Sequence, residues 1–158
     1  MADKFEPPTT DESRRFLISF PFNGSMTPGL RECVWRAYLD LSRTAHGVGK
    51  LPDSKSLKSS THALLERLLK EATERTPAWD GESYDMWHES QCACICRLYT
   101  KNGFTSFCVG QAQKWLNMSV KYTLTLNAVG MLPVEHADAL RRVAHVPLDD
   151  FINKQKLP

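Results

Sequence analysis

The sequence contains no apolar run approaching the ~20 residues that a membrane-spanning helix requires, and no stretch of alternating apolar and polar residues long enough to read as a set of strands. No internal repeat and no Cys-x-x-Cys pair occurs among its 158 residues. Neither sign of charge dominates: 20 basic side chains stand against 18 acidic ones, for a net charge of +2. These absences argue against a membrane span, an all-β architecture, a solenoid, a zinc ribbon and a polyanionic or polycationic tail. The N-terminal stretch MADKFEPPTTDESRR is polar and of mixed charge, unlike a signal peptide, so a cytoplasmic location is expected.

What is present is ordinary globular composition, 42% hydrophobic and 24% charged, in a chain long enough to bury a core. The basic lean is local. Residues 101–158 hold seven basic and four acidic side chains, a local charge of +3, whereas residues 51–100 hold six and eight. Five cysteines with no sign of export speak against a disulfide framework. On a helix Cys92 and Cys96 share a face while Cys94 points elsewhere, and His88 would add only one ligand. They read as small hydrophobes, with no metal and no cofactor expected.

The pattern along the chain is helical. Residues 1–13 read as a flexible arm and residues 14–158 as a single helical domain. Phe16–Phe20 is too short to assign by period, either a strand or one turn of helix. Thr27-Pro28 suits the start of a helix with its stripe at Leu30, Val34, Tyr38 and Leu41, closed near His46-Gly-Val-Gly49. Ser59–Thr61 can cap a second helix that buries Leu64, Leu65, Leu68 and Leu69. A third is expected from about Glu82 to Lys101, ended by Asn102-Gly103, and a fourth from about Gly110 to Leu126. Residues 135–144 and a short element opened by Pro147-Leu-Asp-Asp150 complete an all-α bundle of about six helices.

One segment carries candidate chemistry. A helix ends at Asn102-Gly103, a short apolar connection follows, and Gly110-Gln111-Ala112-Gln113-Lys114 opens the next helix. Downstream stands Val146-Pro147-Leu148-Asp149-Asp150. In this order the pieces resemble the helix–hairpin–helix DNA glycosylases, whose Gly-x-Gly-x-Lys hairpin is followed by a Val-Pro-x-Asp segment. The resemblance covers roughly residues 100–152, with the hairpin-like element near residues 100–118 and Ala112 standing where the second hairpin glycine would be.

The resemblance implies a DNA-processing enzyme that cleaves the N-glycosidic bond of a damaged or modified base, with DNA as partner, either monofunctional or with a coupled lyase step. Lys114 would attack the sugar C1′ and form a Schiff base, and Asp149, or Asp150 beside it, would stabilise the cationic sugar. Gly110, Gln111, Ala112 and Gln113 would hold phosphate, joined by Lys121. Trp87 and His88, close to Tyr84 and Trp79, are candidates with Asp150 to line a pocket for a flipped base, although an aromatic group of this kind is also what a core uses. The alternative is a non-catalytic helical module that binds nucleic acid or a protein. A third reading, acid chemistry on Asp80, Glu82, Asp85 and Glu89, competes with the preference of acidic side chains for a helix start.

Overall fold

Thr9 begins the first helix: its hydroxyl accepts the Glu12 amide while the Glu12 carboxylate accepts the Thr9 amide at 2.8 Å. The computed structural model describes residues 7–42 and 45–145. In it α1 runs Thr10–Ser19, so the expected arm is corrected: the 13/14 boundary falls inside a helix that the reciprocal cap nucleates. Phe16–Ser19 is therefore helical with Phe20 as its C-cap, and Leu17 is turned into the core. Arg14 donates from Nε to the Val129 carbonyl at 2.6 Å and ties α1 to the end of a later helix.

Helix α2 spans Leu30–Ser42 and buries Cys33, Val34, Ala37, Tyr38 and Leu41. It starts later than Thr27-Pro28 suggests, because the Glu32 carboxylate reaches back to the Gly29 amide at 2.8 Å and sets the first turn there. A 3-10 turn at Val48–Lys50 follows Gly47, whose φ of 93° is left-handed. Helix α3 spans Ser54–Glu74 and corrects the expected cap at Ser59–Thr61. Its buried stripe begins at Leu57, and Thr61 is an interior residue whose hydroxyl donates to the Leu57 carbonyl at 2.8 Å.

Helix α4 spans Gly81–Lys101, opened by a reciprocal Asp80–Ser83 cap. It presents Tyr84, Trp87, His88, Cys92, Ile95 and Tyr99 as one buried stripe. Asn102 closes it, and Gly103 follows at φ 85°, a conformation that favours glycine. Helix α5 spans Val109–Ala128 and α6 spans Ala137–Val143. All helix, with no strand among the described residues, the fold is an all-α bundle. No described helix is long and apolar enough to cross a membrane. The element expected at Pro147–Asp150 lies outside the described residues.

Helix α5 sits at the centre, packed against α2, α3, α4 and α6. Its Trp115 is fully buried, donates Nε1–H to the Val34 carbonyl at 3.2 Å, and meets the rings of Tyr38, His62 and Tyr99. At one side Tyr122 donates to Asp40 at 2.6 Å, and Arg36 bridges the pair from α2. The buried hydroxyls of Ser119 and Thr123 donate to carbonyls one turn earlier, so neither is left unpaired. Truncating Trp115 to alanine should cost about 3–5 kcal/mol, as for other large buried side chains, in urea unfolding. Lys114→Ala, one residue away on the outer face, should stay within about 0.5 kcal/mol.

Candidate nucleic-acid interface

The connection between α4 and α5 is held by aromatic packing. Phe104 and Phe107 fold back onto Tyr99, the latter stacked at 3.9 Å between centroids. Cys108 then takes the N-cap position of α5, its amide donating to Gln111 Oε1 at 2.9 Å. The Gln111 and Ala112 amides both point to the Cys108 carbonyl, at 3.0 and 3.2 Å.

Residues 110–112 thus lie in the first turn of a helix, as expected from Gly110 opening the fourth helix. Gly110 has no positive φ, and a Cβ there would meet nothing closer than Cys108 Sγ at 4.0 Å. Ala112 is fully buried, so its side chain faces the core. The Gln111 and Ala112 amides are spent inside the helix, which leaves those of Val109 and Gly110 as its open donors. Gln113 is exposed.

The outer face of α5 is different in character. Lys114 and Lys121 lie seven residues apart, two helical turns, and so project from the same side. Lys114 is half-buried and Lys121 exposed. Among the described residues neither ammonium has a hydrogen-bond or ion-pair partner. Lys121 borders a groove of about 470 Å³ whose floor includes Asn117 and Thr125 and whose far wall is Arg141 and His145. Arg141 is held in place by Asp138 at 2.7 Å and by the Asn127 amide oxygen. Asp149 and Asp150 lie outside the described residues, and so does the Val146-Pro147 step before them.

Behind the groove lies a polar cluster. His88 donates from Nε2 to Asn117 Oδ1 at 2.7 Å, and Cys92 Sγ sits 3.8 Å from the same nitrogen. His145 donates to Asp85 at 2.7 Å, and its ring lies 4.3 Å from that of His88. Burial lowers the pKa of His88, with the nearby His145 acting the same way and the Asn117 bond opposing. Burial pushes the Cys92 thiol up to about 12, so it is no nucleophile at neutral pH.

Trp87 and His88, expected to line a base pocket, belong to the buried stripe of α4. The Trp87 ring packs on Trp79 and Tyr84, at 5.3 and 5.5 Å, so its faces are not open to a flipped base. His88 approaches the groove through Asn117 and through the His145 ring. No group of three or more histidine, cysteine or acidic side chains among the described residues is placed to hold a metal ion.

Sequence reasoning passed over Trp35, which is 52% exposed. The signal was available: it stands beside Val34, outside the stripe of Leu30, Val34, Tyr38 and Leu41, so a helix that buries the stripe must present this indole outward. Comparison of the chain with protein-family models, with curated proteins and with solved structures returns no match. The functional reading therefore rests on geometry.

The His88 cluster yields a pH dependence. Because folding lowers the His88 pKa, the unfolded chain binds more protons than the folded one below the ordinary value of 6.5. Stability is then full above that value and falls as the pH drops through and below it. Urea midpoints measured across this window should decline toward acid. His88→Gln should flatten the decline, leaving a residual slope from His62, whose pKa burial also lowers.

Proposed function

We propose that the chain is a non-catalytic helical nucleic-acid-binding module that contacts the phosphate backbone along the outer face of α5 and the adjoining wall of α6. One observation carries the reading: Lys114 and Lys121 are unpaired cations two turns apart on one face, beside a groove walled by Arg141 and His145. Two unpaired ammonium groups on one face suit contacts to phosphates of a strand, and their affinity would come from counterion release. The open amides of Val109 and Gly110 at the head of the same helix add donors suited to a phosphate oxygen.

The excision reading uses the same face and asks for more. A lysine nucleophile needs a carboxylate or a desolvating pocket to activate it, and no described carboxylate pairs with Lys114. Binding without bond cleavage is the simpler account of these residues.

Anisotropy titrations with duplex and single-stranded oligonucleotides should give micromolar binding at low salt that weakens steeply as salt rises. Lys114→Ala and Lys121→Ala should each reduce the salt slope by about one, with little dependence on sequence. Borohydride treatment of the protein with an abasic-site duplex should trap no adduct. A covalent product lost in Lys114→Ala would overturn the non-catalytic reading, and no retention of any oligonucleotide at low salt would remove nucleic acid as the partner.

A further inference from the structure

A second pocket, of about 380 Å³, opens between α2 and α3, remote in sequence from the α5 face. Arg31 and Trp35 come from α2, one turn apart, and Lys58 and His62 come from α3, also one turn apart, so the two helices face each other with a cation and a ring apiece. Ser59 adds a hydroxyl. Trp35 leans on Tyr38 at 5.7 Å and on His62 at 5.5 Å, which fixes the indole while leaving about half of it in water. An indole held rigid with an open face is placed to stack on a planar partner.

Three further features point to the chemistry of that partner. The Lys58 ammonium lies 5.0 Å over the Tyr38 ring and, like Arg31, has no carboxylate partner among the described residues. Both cations lie close enough to His62 to add to the lowering of its pKa that burial causes, so the pocket holds positive charge and a neutral imidazole. His62 Nε2 is buried without a hydrogen-bond partner, an unused capacity at the pocket wall. Glu32 also lines the pocket, its carboxylate accepting the Gly29 amide at 2.8 Å.

We propose that this pocket binds a nucleotide, the base stacked on Trp35 and the phosphate held by Arg31, Lys58 and Ser59. A flat aromatic ring bearing a phosphate matches an exposed indole beside two unpaired cations, and the volume lies in the range of small-ligand sites. The nucleotide is either free or the exposed unit of a single strand. The site stands independently of the backbone-binding face of α5.

Intrinsic fluorescence tests it directly, because Trp35 is exposed while Trp79, Trp87 and Trp115 are buried. With excitation at the red edge of indole absorption, uridine monophosphate should quench the emission saturably, and uridine or ribose 5-phosphate should bind more weakly. By calorimetry Trp35→Leu should weaken nucleotide binding roughly tenfold, the value of one stacked base. Arg31→Ala and Lys58→Ala should each weaken it several-fold, with unchanged circular dichroism in all three. A short oligothymidylate that binds more tightly, with the same dependence on Trp35 and Lys58, identifies a strand as the source; equal affinity identifies the free nucleotide.

The absence of saturable binding of either probe overturns the proposal. Binding unchanged in Trp35→Leu does so as well, as does ribose 5-phosphate binding as tightly as the nucleotide. The double variant Lys114→Ala/Lys121→Ala should leave uridine monophosphate binding intact, which separates failure of this site from failure of the α5 face.

Discussion

The buried indole of Trp115 is the constraint on which the rest of the structure depends. Its hydrogen bond to the Val34 carbonyl joins α5 to α2, and its ring contacts reach His62 on α3 and Tyr99 on α4. A side chain this large, with one polar atom, fills a core well only where that atom finds a partner. The main-chain carbonyl supplies it, and in doing so sets the rotation of α5 about its own axis. With Trp115 inward, Lys114 and Lys121 are obliged to lie on the outer side. The basic face is a consequence of how the core is packed.

Several polar groups inside the bundle are satisfied locally or by a single cross-helix partner. Thr61, Ser119 and Thr123 return their hydroxyls to carbonyls of their own helices. His88 and Asn117 satisfy each other between α4 and α5. That pair carries the cost of burying an imidazole, expressed as the lowered His88 pKa. It also supports Asn117 at the floor of the groove, so the surface feature and the buried pair are two ends of one hydrogen bond.

The helices legible in the sequence were those whose apolar stripe and end signals agree. Asn102-Gly103 marks the end of α4 because the residue after the cap must adopt a positive φ. Where signals conflicted, the stripe prevailed over the cap: α3 begins before Leu57 despite the serine and threonine at 59–61, since burying Leu57 is worth more than a cap. The first helix was hidden by Pro7-Pro8, although Thr9 and Glu12 carry the spacing of a reciprocal cap. In the candidate site, the shared face of Lys114 and Lys121 follows from their spacing alone. The role of Gly110 does not, because glycine serves a turn and a helix start equally well and only the hydrogen bonds of the Cys108 carbonyl decide between them.

The aromatic residues show why composition cannot assign a ligand. Trp79, Tyr84 and Trp87 cluster in sequence and in space, and they saturate one another's faces. Trp35 has fewer aromatic neighbours in the chain but an open face, because α2 spends its inward positions on Cys33, Val34, Ala37 and Tyr38. An aromatic ring can stack on a partner only if the fold has not already used its surface. Tyr38 and His62, which hold Trp35 outward, both rest on Trp115. The rigidity of the pocket between α2 and α3 and the orientation of the lysines on α5 therefore derive from the same buried ring, and a change that loosened it would disturb both surfaces at once.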